Sequence, residues 1–146
     1  MKKNFLKIAI IGVSLALFFL SLTQDAFVTF YNGSKHLHSG LECFLMGSTA
    51  ILGGGLLEWI IWITNPLSLF SIIYLTKNNR IAIKTGIAAL LLAASFRLWS
   101  EVLGSESGSM AKIMSFKAGY YLWLTSIIIL NIGTIYYFIN MRTRKA

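Results

Sequence analysis

The chain is poor in charged residues, acidic residues and cysteine. Charged residues make up 12% of its 146 residues, about half of the roughly 25% found in soluble domains. Acidic residues number five against thirteen basic ones. The single cysteine, Cys43, excludes an internal disulfide and a metal cluster built on cysteines. The single proline, Pro66, lies within an apolar stretch, where it can kink a helix.

The chain instead contains long runs without a charged residue, and its mean hydropathy is +0.71. Because about 20 apolar residues cross a bilayer, these runs predict an all-α integral membrane protein with one domain over residues 1–146. The uncharged runs cover residues 8–22, 43–57, 59–76, 85–96 and 118–141. We expect four transmembrane helices at about 5–23, 44–76, 81–103 and 118–141, with outside loops at 24–43 and 104–117.

The charges divide the chain into two sides. Basic residues cluster at 2–7, 77–84 and 142–145, whereas four of the five acidic residues lie elsewhere. Because cytoplasmic loops are rich in Lys and Arg, both termini are predicted to be cytoplasmic, in a bacterial inner (plasma) membrane. The net charge of +8 then reflects topology and the lipid bilayer as a partner, not nucleic acid. Residues 1–23 also have the form of a signal peptide, but Ser-Leu-Thr matches a cleavage site poorly and favours a retained helix.

The second apolar region is too long for one straight helix. Its 34 residues, 43–76, would span about 51 Å, against a hydrocarbon core of about 30 Å. We expect one long helix, kinked at the glycine triplet 53–55 or at Asn65-Pro66. A hairpin at Asn65-Pro66 is the alternative, but it leaves a segment of only about 14 Å. In the preceding loop, Asn32-Gly33 marks a turn and weakly predicts a short hairpin.

Small and polar residues share helix faces. At 100° per residue, small residues on the second and third helices form stripes that also carry Glu58 and Arg97. Counted from the 77–80 turn, Glu58 lies about 27 Å and Arg97 about 24 Å along adjacent helices. The sequence therefore predicts an ion pair between them, direct or through water; Arg97 can instead reach Glu101 or extend outward. Asn65 and Asn131 complete the predicted intramembrane polar centre. The predicted helix-packing seam consists of Gly47, Gly54, Ala82, Gly86, Ala89 and Ala93.

Catalytic and cofactor signals are scarce. His36 and His38 lie on one side of an extended segment, but zinc needs three or four converging ligands, so we expect no metal and no cofactor. The glycine triplet lacks the Lys-Ser/Thr of a phosphate loop. No Ser, Thr or Cys has an identifiable base nearby in the sequence. The chain is therefore predicted not to be an enzyme.

Four helices and one intramembrane glutamate resemble, in outline, the small multidrug resistance transporters. Those carry the glutamate in their first helix, where this chain has no charge between residues 8 and 22. Size and basic topology are similar to those of bacteriocin immunity proteins of the inner membrane, without a shared motif. We expect a non-catalytic protein that contacts another membrane protein, or copies of itself, through its helices, as an accessory subunit, immunity-type protein or assembly factor. The alternative is an oligomeric channel or small transporter with Glu58, Arg97, Asn65 and Asn131 as its polar lining.

Overall fold

The structure, a computed structural model, describes residues 2–105 and 108–143. Four of its segments are long and apolar enough to cross a membrane: Asn4–Leu22, Leu56–Thr76, Ile81–Leu98 and Ala118–Asn140. The predicted number of membrane-length helices, four, is therefore confirmed by length and composition. The elements are α1 (Lys2–Leu22), β1 (Asp25–Tyr31), β2 (Ser34–Ser39), α2 (Gly40–Thr49), α3 (Leu56–Trp62), α4 (Thr64–Thr76), α5 (Ile81–Ser95), β3 (Glu101–Leu103), β4 (Met110–Phe116) and α6 (Ala118–Thr143), with 3₁₀ turns at Ala50–Gly53 and Phe96–Leu98.

Two segments predicted as loops form three strands of a sheet, and the end of the predicted third span forms the fourth, Glu101–Leu103, so the all-α class is wrong. The four strands are antiparallel, in the order β2-β1-β4-β3. The hairpin at Asn32-Gly33 is confirmed: both residues have positive φ, 48° and 78°, as a tight β1–β2 turn requires. Phe27 of this sheet lies edge-on to Phe96, with ring centroids 5.5 Å apart. This aromatic contact places the sheet across one end of the helix bundle.

The long second helix is also corrected, because it is broken in two. After α2 and the first 3₁₀ turn, Gly54 adopts φ 87°, a conformation that glycine enters without the penalty of a Cβ. The chain then restarts as α3. Asn65-Pro66 interrupts the helix far less, because the Leu67 N–H still bonds to the Ile63 carbonyl at 3.0 Å. Pro66 lies in the first turn of α4, where its missing N–H has no intrahelical partner to lose.

Helix α2 lies beside the bundle, and none of its residues is buried. It begins with a capping box: the Ser39 hydroxyl accepts the Glu42 N–H, and the Glu42 carboxylate accepts the Ser39 N–H. The Trp62 indole of α3 donates to the Phe44 carbonyl of α2 at 2.8 Å. A Cβ on Gly47 would stand 2.7 Å from that indole, so glycine permits this close approach. Trp62 therefore holds α2 against α3.

The stripe of small residues on α5 faces the interior. Ala82, Gly86, Ala89 and Ala93 are all buried. A Cβ on Gly86 would stand 2.7 Å from the Asn131 amide oxygen of α6. This stripe packs inside the chain, against α4 and α6. Gly54 differs from it, since a Cβ there would meet nothing within 4 Å.

Basic residues gather at the end of the bundle opposite the sheet. Lys7 of α1 donates to the Thr76 carbonyl at 3.3 Å and to the Asn78 side chain at 3.2 Å. The Tyr137 hydroxyl of α6 also bonds to Asn78. The N-terminal basic cluster and the 77–80 turn therefore share one end. Of the C-terminal cluster, Arg144 and Lys145 lie outside the described residues.

Candidate ligand-binding cavity

A cavity of about 990 Å³ lies between the sheet and the helix ends beneath it. Strands β1 and β3 supply one side, and α2 with the glycine triplet 53–55 supplies another. The ends of α1, α3 and α6 complete the walls, with Asn65 and Trp123 among the lining residues. Ligand pockets in proteins commonly measure about 300–1,000 Å³ and are mostly apolar with a few polar groups. This cavity has both properties.

Glu58 lines the cavity and is tied to the edge of the sheet. Its Oε1 accepts the N–H of Leu103, in the edge strand β3, at 2.7 Å. The break at Gly54 also puts Glu58 in the first turn of α3, where the positive end of the helix dipole favours a carboxylate. Two backbone features therefore hold this carboxylate in an apolar segment.

Arg97 lies elsewhere, and the predicted direct ion pair with Glu58 is absent. Among the residues that the structure describes, one pair of oppositely chargeable side chains is in contact, His38 and Glu42 at 3.2 Å, and it is an ion pair only when the imidazole is protonated. The 3₁₀ turn at Phe96–Leu98 ends α5 early, and the Arg97 guanidinium lies over the Phe116 ring, 5.0 Å from its centroid. Arg97 is exposed and does not line the cavity. Its position matches the alternative in which this side chain extends outward.

The two asparagines of the predicted polar centre are separated. The Asn65 side-chain oxygen accepts the Trp123 indole N–H at 2.9 Å, and its amide nitrogen donates to the Trp62 carbonyl at 3.0 Å. Asn65 thus fixes α6 to the junction of α3 and α4, and both Asn65 and Trp123 line the cavity. Asn131 is buried deeper and donates to the Gly86 carbonyl of α5 at 3.0 Å. Only Glu58 and Asn65 of the four predicted polar residues line the cavity.

The two histidines contact different partners. His36 bonds to the Ser34 hydroxyl at 2.8 Å, whereas His38 bonds to Thr29 through Nε2 at 2.9 Å and to Glu42 through Nδ1 at 3.2 Å. Within 2–105 and 108–143, no group of three or more metal-ligating side chains could hold an ion.

The Thr29–His38–Glu42 chain was missed from the sequence, because it joins adjacent strands and the following helix. A hydroxyl, an imidazole and a carboxylate in this order are also the parts of an activated nucleophile. Thr29 is 1% exposed, however, and does not line the cavity. The chain of bonds therefore joins the β1–β2 hairpin to α2 without presenting the hydroxyl to a substrate.

Cys43 also lines the cavity, from the α2 side. Burial, with the Glu42 carboxylate as a second cause, raises the pKa of its thiol to about 12. Because the thiolate is the reactive form of cysteine, this thiol is an unreactive part of the wall.

Fold and cavity together define a class: a bundle of four membrane-length apolar helices, with a four-stranded antiparallel sheet over one end and a cavity beneath the sheet. No protein-family model, curated protein or solved structure matches the chain.

Proposed function

We propose that this chain is a multi-pass membrane protein that binds an amphipathic small molecule in the cavity under its sheet. The observation that carries the proposal is the cavity itself, at about 990 Å³. Phenylalanine, tryptophan and tyrosine rings form much of its apolar wall, and Glu58 and Asn65 add fixed polar groups. Such a lining suits a molecule with an apolar body and a polar end.

The charge distribution supports an orientation. Lys7, Lys77 and Arg80 lie at the end opposite the sheet, and Lys and Arg are enriched on the cytoplasmic side of membrane proteins. On this proposal both termini are cytoplasmic, the membrane is a bacterial inner membrane, and the cavity opens toward the outer surface. Its ligand then comes from the outer leaflet or from outside the cell.

Helix-mediated association with another membrane protein, or with copies of the chain, is a less supported proposal. Its main basis in the sequence was the stripe of small residues on α5. Ala82, Ala89 and Ala93 of that stripe are 0% exposed, so they pack within the chain and offer no surface to a partner. Binding in the cavity does not depend on an association of this kind.

Transport is a second candidate function, supported by a different observation. Four buried side-chain oxygens have no hydrogen-bond partner in the described structure: those of Thr64, Ser68, Asn131 and Thr134. Buried polar atoms usually have partners or hold water, so these four oxygens are candidate sites for water inside the helix bundle. Proteoliposomes loaded with a pH-sensitive dye test the transport proposal. Transport predicts a proton leak that Asn131→Leu lowers and that protein-free liposomes lack, and equal rates in all three samples contradict it.

The binding proposal is tested by filling the cavity. Ala50 lines the cavity, so Ala50→Trp puts an indole into it. Ala94 is exposed on α5 and does not line the cavity, so Ala94→Trp is the matched control. The purified proteins are compared by native mass spectrometry after extraction from membranes.

We expect the wild-type protein and Ala94→Trp to retain one amphipathic molecule per chain, and Ala50→Trp to lose it. All three proteins should elute at the same volume in size-exclusion chromatography, which shows that they remain folded. Retention by all three proteins, or by none, would refute the binding proposal.

A further inference from the structure

The acidic side chains that line the cavity outnumber the basic ones. Among the lining residues that the structure describes, the acidic ones are Glu42 and Glu58 and the basic one is His38, which bonds to Glu42; no Lys or Arg is present. The whole chain has the opposite bias, thirteen basic residues against five acidic. Among the described lining residues, Glu58 is therefore the carboxylate without a basic partner, in a protein whose net charge is +8.

Glu58 is held in place before any ligand arrives. Its Oε1 is bonded to the Leu103 N–H, and its Oε2 lies on the side of Gly55, where a Cβ would stand 3.1 Å away. Gly55 is itself a lining residue. One oxygen thus anchors the carboxylate to the sheet while the other lies beside the cavity wall. A fixed carboxylate binds a cation without first being ordered.

Aromatic rings form the rest of the site. Phe96, Tyr120 and Trp123 line the cavity and pack together: Tyr120 lies 6.0 Å from Phe96 and 6.1 Å from Trp123 between ring centroids. The faces of such rings attract cations, and tryptophan does so most strongly. They also supply the apolar surface that a hydrophobic body needs.

From these three observations we infer that the cavity selects lipophilic organic cations, with the positive group at Glu58 and the apolar body against the aromatic rings. This inference rests on the proposed binding function and adds the sign of the ligand's charge. An anionic amphipath of the same shape is disfavoured, because it would bring its charge beside the Glu58 carboxylate, and the one basic side chain of the described lining, His38, bonds to Glu42 instead.

Two probes of nearly identical shape test the inference: tetraphenylphosphonium, a cation, and tetraphenylborate, an anion. Each is titrated into the full chain in nanodiscs of zwitterionic lipid and followed by tryptophan fluorescence, with empty nanodiscs as the baseline. We expect saturable binding of tetraphenylphosphonium and none of tetraphenylborate. Glu58→Gln should lower the affinity for tetraphenylphosphonium by on the order of tenfold, as expected when a fixed carboxylate loses its charge.

Two further variants make the test specific. Glu101→Gln removes the same charge at an exposed position outside the cavity and should leave the affinity unchanged. Glu42→Gln preserves the capping box, which accepts either residue, and should weaken binding of the cation less than Glu58→Gln does, because the Glu42 carboxylate already bonds to His38 and to the Ser39 N–H. Glutamine at position 58 still offers an oxygen to the Leu103 N–H, so we expect this variant to fold.

Three outcomes overturn the inference: equal binding of both probes, equal effects of Glu58→Gln and Glu101→Gln, or no saturable binding of either probe. If a molecule is nevertheless retained by the wild-type protein and lost in Ala50→Trp, the binding function stands and only the cation selectivity fails. If Ala50→Trp also has no effect, both proposals fail.

Discussion

Replacement of Glu58 by alanine should loosen the attachment of the sheet to the helices. The substitution removes the 2.7 Å bond between the Glu58 carboxylate and the Leu103 N–H. A hydrogen bond to a charged group contributes about 1.5–3 kcal/mol, and the favourable position at the start of α3 adds about 0.3–1 kcal/mol. Because Glu58 and Leu103 are only half-buried, we expect a loss near the lower end, about 1.5–2 kcal/mol. Glu58→Gln should lower the stability by about half as much as Glu58→Ala, since the glutamine amide oxygen can still accept the Leu103 N–H.

Hydrogen exchange of the Leu103 amide is the most direct assay. A loss of about 1.4 kcal/mol corresponds to a tenfold change in an equilibrium constant, so exchange at Leu103 should become at least about tenfold faster in Glu58→Ala if the amide opens locally. Glu101→Ala, a change in the same strand at an exposed side chain, is the control and should leave this amide unaffected. Unchanged exchange at Leu103 in Glu58→Ala would show that the carboxylate does not hold the edge strand.

A double-mutant cycle separates this account from the ion pair predicted from the sequence. If Glu58 bonds to the backbone and Arg97 lies over Phe116, the effects of Glu58→Gln and Arg97→Gln on the free energy of unfolding should add to within about 0.5 kcal/mol. Unfolding by a denaturing detergent, followed by tryptophan fluorescence, measures each variant. A coupling energy above about 1 kcal/mol would show that the two side chains interact and would support the ion pair.

Three further predictions concern packing, reactivity and topology. Gly86→Ala should destabilise the protein by about 1–3 kcal/mol in the same unfolding assay, because the new Cβ would stand 2.7 Å from Asn131; Gly12→Ala meets nothing within 4 Å and should not destabilise it. Cys43, with its pKa raised to about 12, carries little thiolate at pH 8, so iodoacetamide should alkylate it at least about 100-fold more slowly than in the unfolded chain, where the pKa is about 8.5. Alkaline phosphatase inserted after Gly33, on the proposed outer side, should be active. The same enzyme fused to the C-terminus, on the proposed cytoplasmic side, should be inactive, and the reverse pattern would contradict the proposed orientation.

Local patterns in the sequence predicted the helices well. Apolar runs of the length of a bilayer predicted four spans, and the described structure contains four helices of that length, although the second and the third are shorter than predicted. The stripe of small residues on the third span was also readable, because a period of 3.6 residues fixes which side chains share a face. In both cases the signal lies within one segment of the chain, and no distant partner is needed to interpret it.

The sheet could not be read in the same way, because its central pairing joins distant segments. Thr29 of β1 pairs with Ile113 of β4, and nothing in either segment identifies the other. Strand β3 has only three residues, too few for an alternating pattern to be recognised. The cavity depends on this sheet for one of its walls, so its existence could not be predicted even though two of its polar residues, Glu58 and Asn65, were.

The error over Glu58 has a more general cause. A carboxylate in an apolar segment needs compensation, and a search of the sequence for a partner finds only charged side chains, here Arg97. Backbone N–H groups carry no signature of their own, yet an edge strand leaves them unpaired, and the first turn of a helix presents several more. The Gly54 break puts Glu58 in such a first turn, only two residues from the start of its span at Leu56, and the Leu103 amide of the edge strand meets it there. Because the Leu103 N–H and the helix dipole of α3 already stabilise its charge, Glu58 does not need Arg97. Its negative charge can then interact with a ligand in the cavity.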